Sequence, residues 1–328
     1  MRDPYDAGVA ASTAKNGRRG KASGRSGNPA KRPEVAVKPA TFRDWVGAAR
    51  LRTLPLAVAP VIIGTGAAHL VDGLLHWVLA LGCLAVAVFL QIGVNYANDY
   101  SDGVRGTDAF RVGPARLTGA GRAKPRAVLT VALVFFALAA LSGLALVVRT
   151  QQWWLIAVGA LCIVAAWFYT GGKRPYGYAG LGELFVFVFF GLVATLGTTW
   201  IQVRVLPQEA WFGAVAAGFF ACAVLLANNL RDIDQDRAAG KMTLSVRIGR
   251  RGTQVFYTVL VALALAIGVL IAVFYPIAWL TLMTLLLLGP AILIVWTYKA
   301  PRELVVALSL TSFGSLLYAA LLFWAFVG

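Results

Sequence analysis

Charged residues are scarce in this chain of 328 residues. They make up 13% of the sequence, and apolar residues make up 59%, whereas a soluble domain is about 25% charged. Residues 252–298 contain no charged side chain at all. That stretch exceeds the roughly 20 residues of one transmembrane helix, and Pro276 is expected to divide it in two. The composition indicates an integral membrane protein.

Cysteine and histidine are also rare. Cys83, Cys162 and Cys222 stand singly in apolar stretches, without the spacing of a zinc site or a disulfide framework. The two histidines, His69 and His76, lie near the junction of the first two apolar stretches, away from most of the acidic residues. A histidine base in the functional site is therefore not expected.

Apolar runs of spanning length predict an all-α integral membrane protein, a bundle of nine transmembrane helices. Runs of this length form helices and not barrel strands. They lie near residues 54–71, 76–98, 127–148, 153–170, 181–203, 210–230, 253–274, 277–298 and 303–327.

Basic residues predict the orientation of this bundle. With a cytoplasmic N-terminus, 28 of the 30 Lys and Arg fall in cytoplasmic segments, and only Arg149 and Arg204 fall outside. The positive-inside rule therefore predicts an inner-membrane protein with its N-terminus in the cytoplasm and its C-terminus outside. The same bias accounts for the net charge of +16 without a nucleic-acid partner. Nucleic-acid binding by the basic tail is the alternative.

The chain is expected to have two parts. Residues 1–40 are rich in small, basic and proline residues, which predicts a disordered cytoplasmic tail. Residues 41–328 form one membrane domain. It begins with an amphipathic segment in which Phe42 and Trp45 are expected at headgroup level.

Acidic residues are concentrated in two segments. The chain has fourteen Asp and Glu, and six of them lie in residues 98–108 and 228–236. Both segments share the pattern Asn-(Asp/Asn)-x-x-Asp, and both follow predicted helices on the cytoplasmic side. Carboxylates beside hydrocarbon are costly to desolvate. A divalent metal, and with it a phosphate-bearing substrate, is the expected cause.

Helical spacing aligns these acids. Asn98 and Asp102 are four residues apart and share a helix face, as do Asn228, Asp232 and Asp236. Two such polar faces offer only oxygen ligands, which favours Mg²⁺. The alternative is that these residues cap helices. One acid is enough for a cap, so three in each segment favour a site.

Basic and aromatic residues accompany the acids. The basic set is Arg105, Arg231, Arg237 and Lys241, with Lys173 and Arg174 in a third connection. Cations beside carboxylates and metal are what a diphosphate leaving group needs, although the positive-inside bias would also place them there. The aromatic run at residues 185–190 is expected to pack against lipid or the core, and an isoprenoid chain is the alternative neighbour.

The chain resembles the UbiA-type intramembrane prenyltransferases from about residue 42 to the C-terminus. The segments that carry the resemblance are ARLRTLP (49–55), NDYSDGVRGTD (98–108), YTGGK (169–173), YGYAGLGE (176–183) and NNLRDIDQDRAAGKMTL (228–244).

The resemblance implies a nine-helix bundle with Mg²⁺ between two acidic motifs. The implied metal-binding residues are Asn98, Asp102, Asp108, Asp232 and Asp236. Tyr169 and Lys173 match a Tyr-x-x-x-Lys element beside the diphosphate, and Arg50 and Arg52 match the basic start of the first span. The position four residues after Asp102 is Gly106, and the next acid is Asp108. This Gly-Thr-Asp ending resembles the branch that acts on 1,4-dihydroxy-2-naphthoate.

The expected activity is Mg²⁺-dependent transfer of a polyprenyl group from polyprenyl diphosphate, within the lipid bilayer, to 1,4-dihydroxy-2-naphthoate. The acceptor would lose its carboxylate, giving demethylmenaquinone. Asp99 or Tyr169 would orient or deprotonate the acceptor, and Lys173 would act at the leaving diphosphate. The expected diphosphate-binding set is Arg50, Arg52, Arg105, Lys173, Asn228, Arg231 and Lys241.

Two alternatives remain open at this point. One is a related prenyltransferase with another aromatic acceptor, such as 4-hydroxybenzoate. The other is a cation transporter, although transporter sites usually lie near the bilayer midplane, whereas these acids lie at helix ends. The sequence predicts no oligomeric state.

Overall fold

The computed structural model describes residues 38–107 and 116–328. Within these ranges every regular element is a helix, which agrees with the predicted all-α class. The predicted tail, residues 1–40, falls almost entirely outside the described residues, and so does Asp108. The first acidic segment is therefore described as far as Thr107.

Twelve α-helices run through the described residues. They are α1 (Phe42–Ala48), α2 (Pro55–Asp72), α3 (Trp77–Arg105), α4 (Pro125–Thr150), α5 (Leu155–Phe168), α6 (Gly182–Val186), α7 (Ala194–Val203), α8 (Gln208–Arg231), α9 (Ile233–Ala238), α10 (Leu244–Ala272), α11 (Leu285–Thr297) and α12 (Leu304–Val327). Short 3₁₀ segments occupy Leu51–Thr53, Tyr176–Tyr178, Pro276–Thr284 and Pro301–Glu303. A π-helical segment, Phe187–Val193, joins α6 to α7.

Eight helical stretches of the described chain are long and apolar enough to cross a membrane. They coincide with eight of the nine predicted spans. The ninth, predicted at residues 153–170, corresponds to α5, which has 14 residues. A helix of that length rises about 21 Å, less than the roughly 30 Å of a hydrocarbon core. The break predicted at Pro276 is present, since α10 ends at Ala272 and the next helical segment begins at Pro276.

Small residues let the central helices approach one another closely. Helices α2, α8, α10, α11 and α12 contribute to the largest buried cluster. A Cβ atom on Gly64 of α2 would lie 2.5 Å from the carbonyl oxygen of Thr195. Ala67 and Ala68, one turn further along α2, are fully buried. Small residues allow this approach between membrane helices, so the glycine and alanine run of α2 is a packing surface.

Helix α1 precedes the first span. Thr41 and Asp44 form a capping box at its start, in which Asp44 Oδ2 accepts a 2.8 Å hydrogen bond from the Thr41 amide. Asp44 also receives two bonds of 2.7 Å from the guanidinium of Arg122. Phe42 is 83% exposed. Helix α1 is thus tied to the connection before α4 and turns an aromatic side chain outward, as an interfacial segment would.

Candidate active site

A cavity of about 610 Å³ lies among α2, α3, α4, α5, α8 and the π-helical segment. The carboxyl-terminal ends of α3 and α8, with the connections nearby, supply a polar lining. Its members include Arg50, Asn98, Asp102, Arg116, Tyr169, Thr170, Asn228, Asn229 and Lys241. The rest of the lining is largely aliphatic and aromatic. Both acidic motifs therefore contribute residues to the wall of one cavity.

The last turns of α3 carry the first motif. Asn98 and Asp102 are both buried there. The Asn98 amide oxygen accepts a 2.6 Å hydrogen bond from the Thr170 hydroxyl. Asp102 accepts a 2.7 Å bond from the Tyr178 hydroxyl and pairs with Arg116 Nη2 at 3.2 Å. The α3–α4 and α5–α6 connections therefore hold this motif in place.

Asp99 has a different environment from its neighbour Asn98. Its two carboxylate oxygens accept 2.9 Å hydrogen bonds from the backbone amides of Leu117 and Thr118. Its side chain is buried and is not part of the cavity lining. Asp99 thus holds the segment that carries Arg116, and its predicted catalytic role stays a prediction.

The second motif crosses a junction between two helices. Helix α8 ends at Arg231, and Asp232, with φ −99° and ψ 7°, separates it from α9. The four-residue repeat continues across the junction, because the Asp232 amide donates to the Asn228 carbonyl at 3.3 Å and the Asp236 amide donates to the Asp232 carbonyl at 2.9 Å. The predicted polar stripe is present, although the helix is broken within it.

The carboxylates of the second motif are paired with basic side chains. Arg231 donates to both oxygens of Asp232, at 2.7 and 2.6 Å, and to Asn228 Oδ1 at 2.9 Å. Asp236 pairs with Lys241 Nζ at 3.4 Å. Asp232, Asp236 and Arg231 are not part of the cavity lining, whereas Asn228 and Lys241 are. Arg231 was predicted to bind diphosphate, and here it neutralises the adjacent acid.

Arg50 reaches the cavity from a strained turn between α1 and α2. Its backbone is left-handed, with φ 56° and ψ 55°, a conformation that costs a non-glycine residue free energy. Two amides of α3 fix the turn: Asn95 donates to the Ala49 carbonyl at 2.9 Å, and Gln91 donates to the Thr53 carbonyl at 2.6 Å. Arg52, predicted alongside Arg50, is outside the lining.

The α5–α6 connection departs from the prediction at Lys173. Tyr169 lines the cavity as expected, but Lys173 is exposed and lies outside the lining. Gly172 takes a left-handed conformation with φ 75°, and Arg105 donates to the carbonyls of Thr170 and Gly172. The loop is thereby fastened to the end of α3 with Lys173 outward. Arg105, predicted to bind diphosphate, secures this loop and lies outside the lining, so its role at the diphosphate stays a prediction.

Tyr178, in the same connection, links the motifs. Burial, followed by the nearby carboxylate of Asp102, raises the pKa of Tyr178 to about 12. The hydroxyl therefore keeps its proton at neutral pH and donates to Asp102. The guanidinium carbon of Arg105 and the Nζ of Lys241 each lie 5.3 Å from the ring centroid, within the range of cation–π attraction.

Aromatic residues of the α6 and π-helical region form part of the apolar wall. Phe185, Phe189 and Phe190 line the cavity, whereas Phe187 packs against Phe219. Phe187 and Phe190 pack against the core as expected, and the three rings at the cavity leave an isoprenoid chain as the alternative predicted neighbour. A π-helical turn changes the angular spacing of side chains, so this outcome could not be obtained from α-helical periodicity.

Comparison with protein families decides the affiliation of the chain. The model of the UbiA prenyltransferase family matches residues 57–317. The chain belongs to this family. A relative from Mycobacterium tuberculosis, 1,4-dihydroxy-2-naphthoate octaprenyltransferase, is 57% identical over 225 residues, which cover 69% of this chain and 76% of the relative. The protein of the same name from Haemophilus influenzae is 36% identical over 287 residues, covering 84% and 93%.

A solved UbiA homologue from Archaeoglobus fulgidus, bound to GPP and Mg²⁺, has the same fold. It superposes with a TM-score of 0.56 and 15% sequence identity, covering 87% of this chain and 100% of the homologue. At that identity the likeness shows the fold alone. The all-helical architecture of this UbiA-family protein is thus shared with that solved homologue.

The donor chemistry of this UbiA-family site fits Mg²⁺. Within residues 38–107 and 116–328, no group of three or more His, Cys, Asp or Glu is clustered as a ready metal site. The two motifs nonetheless offer amide and carboxylate oxygens to the lining of one cavity, from Asn98 and Asp102 and from Asn228. Mg²⁺ takes few protein oxygens and completes its shell with water and phosphate. These residues therefore suit a metal that binds together with a diphosphate.

Four polar residues of this site were not predicted. Arg116, Thr170 and Asn229 line the cavity, and Tyr178 binds Asp102. Asn229 Nδ2 also donates a 3.0 Å bond to the buried carboxylate of Glu183. Arg116 was counted only with the basic residues of the positive-inside bias, and Tyr178 only as part of a family segment. Asn229 follows Asn228 directly, so its position inside the second motif was the one feature of the sequence that could have predicted it as a site residue.

Proposed function

We propose that this protein transfers a polyprenyl group from polyprenyl diphosphate to 1,4-dihydroxy-2-naphthoate, releasing diphosphate and carbon dioxide and forming demethylmenaquinol, the reduced form of demethylmenaquinone. The observation that carries the proposal is the cavity. Its largely apolar lining includes Asn98 and Asp102 of the first motif, Asn228 of the second, and three basic side chains. The naphthoate acceptor is supported by relatives that are 36% and 57% identical.

The polar end of the cavity suits the diphosphate. Arg50, Arg116 and Lys241 line it, and fixed cations stabilise the negative charge that develops on a leaving diphosphate. Mg²⁺, when bound, adds Lewis-acid stabilisation of the same charge. The residues that would hold Mg²⁺ are Asn98 and Asp102, which line the cavity, together with Asp232 and Asp236, which would exchange their ion pairs with Arg231 and Lys241 for the metal.

The apolar wall suits the prenyl chain and the cation formed from it. When the allylic carbon–oxygen bond breaks, its electron pair leaves with the diphosphate, and an allylic cation remains. Phe185, Phe189 and Phe190 present aromatic rings to the cavity, and such rings attract a cation while they exclude water. An electron-rich naphthoate ring then supplies the electrons of the new carbon–carbon bond. Tyr169, half-buried in the wall, is the residue proposed to orient this acceptor.

We also propose that α5 forms a ninth crossing, that the N-terminus is cytoplasmic and that the active site faces the cytoplasm of a bacterial inner membrane. This arrangement leaves 28 of the 30 basic residues on one side, as the positive-inside rule requires. Residues 41–328 would then be a single membrane domain preceded by a basic tail.

Replacement of one carboxylate in each motif tests the proposed function. Asp102→Ala and Asp236→Ala should each reduce turnover at least about 100-fold, because two to three kcal/mol of charge stabilisation is lost. Asp234→Ala is the control, since Asp234 belongs to the same segment but its side chain is 69% exposed. Purified protein would receive Mg²⁺, polyprenyl diphosphate and a panel of aromatic acids, with products identified by mass spectrometry. Near-normal turnover in either motif variant would refute the site.

The same panel tests the acceptor. A prenylated, decarboxylated naphthoate product is expected, with no prenylated 4-hydroxybenzoate. A 4-hydroxybenzoate product without a naphthoate product would overturn the acceptor while leaving prenyl transfer intact.

A further inference from the structure

Tyr178 lies where three segments of the chain meet. Its hydroxyl donates a 2.7 Å hydrogen bond to Asp102 at the end of α3 and lies 3.3 Å from the hydroxyl of Thr107. Its backbone carbonyl accepts a 3.0 Å bond from the amide of Met242, in the connection between α9 and α10. Tyr178 itself belongs to the α5–α6 connection. One residue thus contacts the neighbourhoods of both acidic motifs.

The ring of Tyr178 has a second set of partners. Lys241 Nζ lies 5.3 Å from the ring centroid, and the same nitrogen pairs with Asp236 at 3.4 Å. Lys241 is part of the cavity wall, whereas Tyr178 is not. The ring therefore supports a cation of the wall from outside the cavity, while the hydroxyl supports a carboxylate of the wall.

We propose that Tyr178 is a positioning residue that joins the two acidic motifs: its hydroxyl orients the Asp102 carboxylate, and its ring holds Lys241 at the cavity wall. Partners behind a ligating group restrict its orientation, so that less freedom is lost when the ligand binds. This inference rests on the proposed function, because prenyl diphosphate is the ligand that both motifs are proposed to hold.

The two contributions of Tyr178 can be separated by substitution. Tyr178→Phe removes the bond to Asp102 but keeps the ring beside Lys241. The backbone bond to Met242 is independent of the side chain, so the connections stay attached. Tyr275→Phe is a matched control: the Tyr275 hydroxyl donates a 2.9 Å bond to the carboxylate of Glu209, and neither residue lines the cavity.

Ligand-induced thermal stabilisation measures the first contribution without turnover. The full-length protein in detergent would be titrated with geranyl diphosphate in the presence of Mg²⁺. We expect Tyr178→Phe to match Tyr275→Phe in its ligand-free melting temperature but to bind geranyl diphosphate about tenfold more weakly, the effect of one hydrogen bond to a charged group. Affinity equal to that of the control would overturn the proposal.

Turnover gives a second readout. For Tyr178→Phe the KM for prenyl diphosphate should rise about tenfold, while the KM for the naphthoate acceptor stays within about twofold of the wild-type value. An equal rise in the two KM values would indicate that the whole site is less ordered, and it would contradict a positioning role. Binding of geranyl diphosphate does not require the acceptor. Wild-type protein that binds this ligand but leaves naphthoate unmodified would therefore refute the proposed acceptor, and the comparison of Tyr178→Phe with its control would still decide the role of Tyr178.

A double-mutant cycle tests the ring. Tyr178→Leu and Lys241→Met should be strongly non-additive in their effects on geranyl diphosphate affinity, because each removes the same contact. The effects of Tyr178→Phe and Lys241→Met on affinity should be closer to additive, because Tyr178→Phe keeps the ring beside Lys241. Additive effects for the leucine variant would refute the claim that the ring holds Lys241.

Discussion

Asp99 and Asp102 lie one turn apart on α3, yet they have different partners. Asp99 accepts hydrogen bonds from two backbone amides, whereas Asp102 faces the cavity and meets Arg116 and Tyr178. The first arrangement fixes the path of the chain after residue 115. The second presents a carboxylate to a ligand. At the residue scale, therefore, the two acids of this motif should respond differently to substitution.

Asp99→Ala should affect stability more than chemistry. It leaves two backbone amides without their acceptor, which costs about 1–3 kcal/mol for each buried group. We expect a clearly lowered melting temperature and a partial loss of activity through displacement of Arg116. Asp234→Ala, at an exposed acid, should leave the melting temperature unchanged. Complete loss of turnover in an Asp99→Ala protein of normal stability would support the catalytic role that the sequence predicted.

Helical spacing accounts for which residues of the first motif face the cavity. Asn98 and Asp102 share a face and both reach the cavity, whereas Asp99 is offset by about 100° from Asn98, which separates it from that face. Lys173 and Arg116 lie in connections, where side-chain direction depends on contacts with distant segments. Arg105, for example, fastens the loop of Lys173 through two carbonyls. No local pattern in the sequence encodes that contact.

At the scale of elements, the π-helical segment packs against α8 with almost no space between the backbones. A Cβ atom on Gly191 would lie 2.6 Å from the Cα of Gly218 and 2.7 Å from the carbonyl oxygen of Ala214. Both neighbouring atoms belong to backbone and cannot rotate away. Two aromatic residues of the cavity wall, Phe189 and Phe190, belong to this segment. The packing of this segment against α8 therefore determines where these rings lie in the apolar wall.

Gly191→Ala should push the π-helical segment away from α8. Overpacking of this kind typically costs about 1–3 kcal/mol, so we expect a lower melting temperature together with reduced prenyl transfer. Gly289→Ala is the control, since Gly289 is also helical and a Cβ there meets nothing within 4 Å. The measurement is thermal unfolding of both variants in the same detergent. Equal melting temperatures would show that the two backbones can separate without cost.

Length and hydropathy predicted the spanning helices well, because a bilayer imposes both on any crossing segment. Eight of the nine predicted stretches were found at spanning length. The exceptions have local causes. Helix α5 is only 14 residues long, and the junction at Asp232 divides α8 from α9 within a polar stripe that was expected to lie on one helix. Composition is insensitive to both, since neither changes the average hydropathy of its surroundings.

At the scale of the whole molecule, the proposed orientation can be tested with two single cysteines. Lys173 lies in the α5–α6 connection and Gln208 is the first residue of α8. Both are exposed, and the span Gly182–Val203 separates them. In a Cys162→Ser background, Lys173→Cys should react with an impermeant maleimide only in inside-out vesicles, and Gln208→Cys only in right-side-out vesicles. The reverse pattern would invert the topology. Reaction of both on one side would mean that this span does not cross the membrane.

The ion pairs of the acidic motifs also bear on how the chain enters the membrane during synthesis. Asp102 pairs with Arg116 in the connection that follows it, Asp232 with the adjacent Arg231, and Asp236 with Lys241. Each acid thus has a counter-charge nearby in the sequence. The carboxylate of the first motif can be paired with its counter-charge before the second motif has been translated. The cost of placing carboxylates beside lipid can therefore be offset within each half of the chain independently.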